Sequence, residues 1–440
     1  MRPAVSTTSS RPIYWIVVLG LLVSSMTFFP GWMSNDSIMQ YREARAGEFN
    51  TWHPVLMAWW WRQLDHLYQG PAPFLIQNLL LYWGAWGVLA NAIRRDVGQY
   101  AYLLPLLGFW PGFFFVLGEI WKDVAFACSL FMGWAIVINA YCWRRKTSRL
   151  EQCALVVLLS FAVGVKTNGI VAIPFLALFW LFNEQRRLGA RSALLASLIS
   201  VATFLIPYGI TSLLPVKNDN PIQYTQVYDL FAISVKTGDN RLPKYINDRV
   251  QLPLSELQKR YAVGKNDNLF YGITKDLIGL RAPSSSDALD LRKSWLAAIN
   301  SNPSDYLMHR WDNFLSLLRI GQSSAAYVAT PSVVANEFGI KFETNIISEW
   351  LATEPETHPW IFYPWLYLLL ALISTLVLLI RKKYRAPALL MTASSLVFVV
   401  PHFFITPASD YRYLYYSYFC SVMIIVFAIS SFRTVPDQEE

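Results

Sequence analysis

Apolar runs, most of them long enough to cross a bilayer, recur along this chain, and the polar gaps between them alternate in character. Gaps of one kind cluster bases: Arg94-Arg95, Arg144-Arg145-Lys146 with Arg149, Arg186-Arg187 with Arg191, and Arg381-Lys382-Lys383 with Arg385. Gaps of the other kind hold acids, amides and single bases: Asn35-Asp36, Glu119 with Lys122-Asp123, Lys166 with Asn168, and Asp410 with Arg412. Basic clusters in short loops mark the cytoplasmic side of a membrane. The alternation therefore predicts a topology and collects a small reactive set on the opposite face.

A spanning helix needs about 20 mostly apolar residues. That rule places spans near 13–30, 72–93, 99–117, 124–142, 152–165, 170–183, 193–214, 361–380, 387–404 and 413–431. The expectation is an all-α polytopic membrane protein of about ten transmembrane helices with both termini cytoplasmic. Residues 1–214 form a first module of seven spans with an external loop over 31–71. Residues 215–360 form an extracytoplasmic, mainly helical domain, and 361–440 carry the last three spans. The fifth and sixth spans are short and are expected to bend around Lys166–Gly169, with polar backbone sheltered by protein or a cavity. No small-residue cleavage site follows the run Ile13–Pro30, so it reads as a retained helix rather than a signal peptide. Residues Pro54–Leu67, with Trp59-Trp60-Trp61, read as a helix lying in the outer interface. In the 215–360 segment, Ser286 or Asp287 is expected to cap a helix through Ile299. Asn302-Pro303 opens another through Leu318.

The composition is 54% hydrophobic and 15% charged, with 18 Trp and 23 Tyr to supply interfacial belts. The net charge of +8 lies in loops facing anionic lipid and does not call for nucleic acid. Cys128, Cys142, Cys153 and Cys420 sit within or at the ends of apolar runs, without disulfide or metal spacing, as small packing residues do. A Gly-rich strand-to-helix phosphate motif is absent from the sequence, which argues against a cytoplasmic nucleotide-linked substrate.

The polar set carries the chemistry. Asp36, just beyond the first span, suits a general base taking a proton from a hydroxyl; as a structural residue, it or Ser34 would cap the helix that follows. His53, in Trp52-His53-Pro54 before a helix start, can donate to a phosphate or sugar oxygen or serve packing alone. Glu119, Lys122 and Asp123 lie so near hydrocarbon that they must pair or serve a site, and Lys122 with Asp123 could be a plain ion pair. Lys166 could snorkel, beside the Asn168-Gly169 turn. Arg412, after Asp410 and between Tyr411 and Tyr413, offers planar paired donors to a phosphate or an interfacial anchor.

With these turns in order, the chain resembles the GT-C class of integral-membrane glycosyltransferases. The resemblance rests on Asn35-Asp36, Trp52-His53-Pro54, Trp121-Lys122-Asp123 and Lys166-Thr167-Asn168-Gly169. It also rests on the stretch Asn302-Pro303-Ser304-Asp305-Tyr306-Leu307-Met308-His309-Arg310 and the closing Asp410-Tyr411-Arg412-Tyr413. It implies a bacterial inner-membrane enzyme with an extracytoplasmic site. Such an enzyme moves a sugar from a polyprenyl-phosphate donor to a glycan, lipid or protein acceptor. By resemblance Asp36 is the catalytic acid residue of the first loop, Arg412 contacts the donor phosphate and Lys122 lies near it. Asn35, His53, Glu119, Asp123, Lys166, Asn168 and Asp410 would bind substrate. Asn35-Asp36 stands where many relatives pair two acids, which weakens the case for a metal: no cofactor is expected, and a divalent metal is possible but not indicated. An oligosaccharide polymerase or ligase using lipid-linked substrates is the alternative, with a transporter or flippase behind it. A transporter would be expected to show repeats and midplane charges, which this sequence lacks.

Overall fold

The computed structural model describes residues 9–250, 253–266, 269 and 280–432. It is helical almost throughout. Helices α1 (Arg11–Phe28), α2 (Asn35–Ala46), α3 (Val55–Asp65), α4 (Ala72–Val97), α5 (Pro111–Leu117), α6 (Lys122–Cys142), α7 (Arg149–Val165), α8 (Ile173–Gln185) and α9 (Ala190–Ser212) form the first part. The middle holds α10 (Ile222–Thr237), α11 (Lys244–Val250), α12 (Leu254–Arg260), α13 (Ser285–Ser301), α14 (Pro303–Leu318) and α15 (Ile346–Thr357). The last part holds α16 (Pro364–Arg381), α17 (Arg385–Val399), α18 (His402–Ile405) and α19 (Tyr415–Ser431). Two short strands, β1 (Phe49–Asn50) and β2 (Val216–Lys217), pair in parallel with Phe49 opposite Val216.

Among the described residues, eight helical stretches are long and apolar enough to cross a membrane. They are Arg11–Phe28, Ala72–Phe109, Lys122–Cys142, Thr167–Gln185, Ala190–Ser212, Pro364–Arg381, Arg385–Ile405 and Tyr411–Ser431. The expected spans near 99–117 and 152–165 are where the structure differs. Residues Gly98–Phe109 form a 3₁₀ helix continuing α4, with Pro105 inside it, and Trp110 breaks the chain before α5. The change of winding starts at Gly98, whose φ of +59° ends the α-helical ladder, and Pro105 further on cannot donate to restore one. Helix α7 is regular but has 17 residues, at the lower limit of about 17 for a span.

Helix α6 is central, packing against α4, α7 and α19, while α17 and α16 pack on α19. Its buried positions run all round it, from Asp123 to Ala140, as expected of a helix enclosed by others. The basic clusters do converge. Lys383 Nζ lies 3.5 Å from Asp96 Oδ1, and the Arg94 guanidinium lies 5.9 Å from the Trp143 ring. That end is separated from Asp123 by the 21 residues of α6, about 30 Å at 1.5 Å per residue. The basic clusters thus lie at the opposite end of the bundle from Asp123.

Helix α3 packs one face against the protein: Val55, Leu56, Met57, Ala58 and Trp61 are buried, and Trp61 is fully enclosed. The middle segment builds its own core. Val227, Leu230 and Phe231 recur at i, i+3 and i+4 along α10 and pack with Ile246, Leu257, Leu291 and Ala298. Helix α13 begins earlier than expected: Ser284 is its cap, its hydroxyl accepting from Asp287 N–H at 3.2 Å. Asn302 and Pro303 do open α14. Between α14 and α15 the chain runs without helix as a strap over 319–345.

Candidate functional site

The site begins with a clamp on the start of α2. Trp32 N–H donates to Gly118 C=O at 2.8 Å and Ile120 N–H to Trp32 C=O at 3.0 Å. On the other edge, Met33 N–H donates to Ser332 C=O and Val334 N–H to Met33 C=O, both at 3.0 Å. Ser34 takes the N-cap position, but its hydroxyl accepts from Trp121 Nε1 at 2.8 Å instead of from the helix. Asp36 lies in the first turn and caps nothing. The capping reading of Asp36 therefore fails, because its carboxylate is turned toward Arg412.

Arg412 Nη2 donates to Asp36 Oδ2 at 2.9 Å, and Arg412 Nε to Asp410 Oδ2 at 3.1 Å. Its guanidinium lies 4.3 Å from the Trp121 ring centre, within cation–π reach. The 3₁₀ turn Tyr411–Leu414 presents it, and Tyr411 N–H is tied to Tyr327 C=O at 2.9 Å. Burial pushes the Asp36 carboxyl up, but Arg412, with Lys122 adding to it, outweighs burial and holds the group well below the usual carboxylate range. Asp36 is ionised, with 35% of its side chain still open.

A second pair lies beside the first. Lys166 Nζ donates to Asp123 Oδ1, and both side chains are buried. Lys166 does not snorkel; rings of Phe398, Phe126 and Tyr413 surround it at 5.2 to 6.0 Å. Gly169 makes this possible. A Cβ there would sit 2.2 Å from Phe126 Cε2, so only glycine lets the 166–172 turn press against α6. Asp123 pairs with Lys166 and not with its neighbour Lys122, which is left half-exposed in the cavity.

Two expected residues stand behind the wall. His53 Nε2 is 3.9 Å from Asp36 Oδ1, too far for a hydrogen bond. Burial, reinforced by Lys122 and opposed by Asp36, lowers its imidazole to about 4, so it is neutral. Glu119 is buried and accepts Thr330 N–H at a long 3.5 Å, with Oε2 unpartnered among the described residues. Burial raises its carboxyl to about 8 against the pull of that N–H and of Arg412. A carboxyl raised on folding favours the native state below its unfolded value of 4.5 and loses that contribution as pH rises through about 8. Wild-type protein in detergent should therefore lose thermal stability between about pH 5 and 8 relative to Glu119→Gln. Parallel melting curves for the two proteins across that window would contradict the assignment.

Asn35, Asp36, Lys122, Asp123, Lys166, Asn168, Asp410 and Arg412, predicted from separate turns, line one cavity of about 1280 Å³. It lies at the end of the bundle away from the basic clusters. Trp52 of the first loop faces it too, and a further wall comes from the middle segment, where Tyr224, Lys265, Tyr306 and Arg319 line it. Gly264 docks this wall. It has φ +69°, and a Cβ would lie 2.1 Å from Ser409 Oγ. Among the described residues no three of His, Cys, Asp and Glu converge as a metal-binding group.

No family model, curated protein or solved structure matches the chain. Its functional reading rests on this geometry.

A buried network braces the wall. Asp229 Oδ2 accepts Arg310 Nη2 at 2.6 Å and Trp295 Nε1 at 2.8 Å. Arg310 Nη1 donates to Thr406 C=O at 3.0 Å, linking α14 to the loop before Asp410. His309 Nε2 lies 3.2 Å from Asp229 Oδ1, and burial depresses its imidazole despite that carboxylate. The His309-Arg310 part of the expected motif is thus a structural brace under the cavity. Leaving Asp229 buried without Arg310 is costly, about 3–5 kcal/mol for a broken buried pair. Arg310→Ala should therefore reduce folded yield sharply, as size-exclusion recovery in detergent would show, whereas full recovery would refute the brace.

Proposed function

We propose that this protein is a membrane glycosyltransferase taking a sugar from a polyprenyl-phosphate donor, with its site on the extracytoplasmic face. The observation that carries the reading is the Asp36–Arg412 pair at 2.9 Å inside a cavity at the end of the bundle away from the basic clusters. Arg412 supplies a planar fork for a phosphate, and Lys122 adds a second cation beside it. In the reaction an acceptor hydroxyl oxygen attacks the anomeric carbon. The bond from that carbon to the phosphate oxygen breaks, and its electron pair leaves with the phosphate. Asp36 takes the hydroxyl proton. A carboxylate locked to Arg412 is a weak base, and catalytic pKa values work best near the operating pH. A donor phosphate drawing on Arg412 relieves that lock, so donor binding raises the basicity of Asp36 when the base is needed.

The acceptor is a glycan, lipid or protein of the envelope. A polymerase or ligase is the second reading, favoured by Arg319 of the middle segment lining the same cavity; there, Asp36 would be dispensable.

Orientation is tested by labelling with an impermeant maleimide in a Cys153→Ser background, since Cys153 is exposed. Ser285→Cys should label from outside intact cells, and Arg149→Cys only after permeabilisation; both positions are exposed. The reverse pattern would place the cavity in the cytoplasm and overturn the proposal. Donor recognition is tested by native mass spectrometry of the purified protein with decaprenyl phosphate. Binding to wild type that Arg412→Ala weakens supports the reading, and no binding contradicts it.

A further inference from the structure

The cavity is not electrically balanced. Its lining holds five cations, Lys122, Lys166, Lys265, Arg319 and Arg412, against three carboxylates, Asp36, Asp123 and Asp410. Two cations satisfy all three acids: Lys166 pairs with Asp123, and Arg412 with both Asp36 and Asp410. Lys122, Lys265 and Arg319 have no carboxylate within 4.0 Å among the described residues. Unpaired charge in a recess is costly unless it meets an anion.

The three fall in two places. Lys122 is beside the Asp36–Arg412 pair, whereas Arg319 and Lys265 belong to the middle segment. Arg319 follows α14 and is only 7% exposed. Its Nε donates to Ser324 C=O at 2.8 Å and its Nη2 to Ser324 Oγ at 2.8 Å, which fixes the guanidinium. Nη1 makes no hydrogen bond to a described residue. Arg319 N–H is bonded to Ser316 C=O at 3.1 Å, and Ser316 Oγ accepts from Ser409 Oγ at 2.8 Å. Ser409 N–H in turn donates to Gly264 C=O at 3.0 Å, and Lys265 follows directly, exposed to the cavity. A held guanidinium and an exposed ammonium lining the same cavity suit an oxyanion: the first fixes direction, the second adds charge.

We propose that Arg319 and Lys265 form a second anion subsite, separate from Arg412, for a phosphate or carboxylate carried by the acceptor. This rests on the glycosyl-transfer reading. A monophosphate donor brings one anionic group, and Arg412 with Lys122 meets it. The cations left over face the other substrate.

The test uses the full chain in nanodiscs with decaprenyl phosphate already bound, titrated with glucose 1-phosphate as a soluble anionic probe. Lys265→Gln and Arg319→Gln should each lower glucose 1-phosphate affinity about tenfold or more, the loss of one charge-assisted contact, and leave decaprenyl phosphate affinity unchanged. Lys265 is exposed, so its variant carries the test even if Arg319→Gln folds poorly. Wild-type affinity in both variants, or no probe binding once decaprenyl phosphate is bound, overturns the subsite. If the variants lose affinity for decaprenyl diphosphate only, the cations serve a donor's second phosphate and the acceptor assignment is wrong. A wild type that ignores decaprenyl phosphate but binds the probe through Lys265 sinks the glycosyl-transfer reading and keeps the anion subsite.

Discussion

Asp36→Asn should lower sugar transfer per folded molecule by about 10²–10⁴-fold, the range of lost base catalysis, while donor binding survives. The amide keeps the shape of the carboxylate and can still accept from Arg412 Nη2, but it cannot take the hydroxyl proton. A structural role would show differently. Asp36 holds no helix cap, so abundance should fall only through the weakened contact to Arg412, which still has Asp410 at 3.1 Å. The sign with pH also follows. The carboxyl of Asp36 lies below its ordinary value of 3.8, so its contribution to stability is present above that value and is lost as pH falls through the lower folded one. Free enzyme should therefore keep its base ionised through mild acid. An Asp36→Asn enzyme that transfers sugar at near wild-type rate per folded molecule would remove Asp36 from the chemistry.

Arg412 is expected to give the second large effect. It bonds two carboxylates and lies over Trp121 at 4.3 Å, so replacement changes binding and acidity together. Loss of a charge-assisted contact to the donor phosphate costs about 1.5–3 kcal/mol, or roughly 10–100-fold in donor requirement. Arg412→Lys keeps charge but loses the fork that reaches Asp36 and Asp410 at once, and it should fall between wild type and Arg412→Ala. In Arg412→Ala the burial of Asp36 is less opposed, so its carboxyl rises. The acid limb of kcat/KM should then move to higher pH. Kinetics of Arg412→Ala with unchanged donor KM and an unmoved acid limb would refute both roles.

Much of this site was legible because membrane sequences hide little polar chemistry. Asp36, Lys122, Asp123, Lys166, Asp410 and Arg412 stood out as ionisable residues near hydrocarbon, and the basic clusters told which end they share. Their pairing was not legible. Asp36 and Arg412 are 376 positions apart, and nothing local distinguishes Lys166 from Lys122 as the partner of Asp123. That choice depends on Gly169 allowing close approach to Phe126. The middle segment was opaque for another reason. Arg319 looks like an ordinary base at a helix end, and Lys265 sits in a loop without periodicity. Only the docking of Gly264 on Ser409 brings both to the cavity. Winding misled as well: the apolar run 99–117 has the composition of a span, but Pro105 and Trp110–Pro111 divide it into a 3₁₀ segment and a seven-residue helix.

The central claim is that this cavity consumes a polyprenyl-phosphate sugar. Mass spectrometry of lipid-linked sugars and envelope glycans tests it most directly, in cells carrying the wild-type gene, no gene, or the Asp36→Asn gene. The account predicts that one polyprenyl-phosphate sugar accumulates without the gene. The matching sugar should vanish from an envelope component, and Asp36→Asn should restore neither despite normal membrane abundance. Unchanged lipid-linked sugars and unchanged glycans in the deletion, under conditions where the wild-type protein is made, would contradict it.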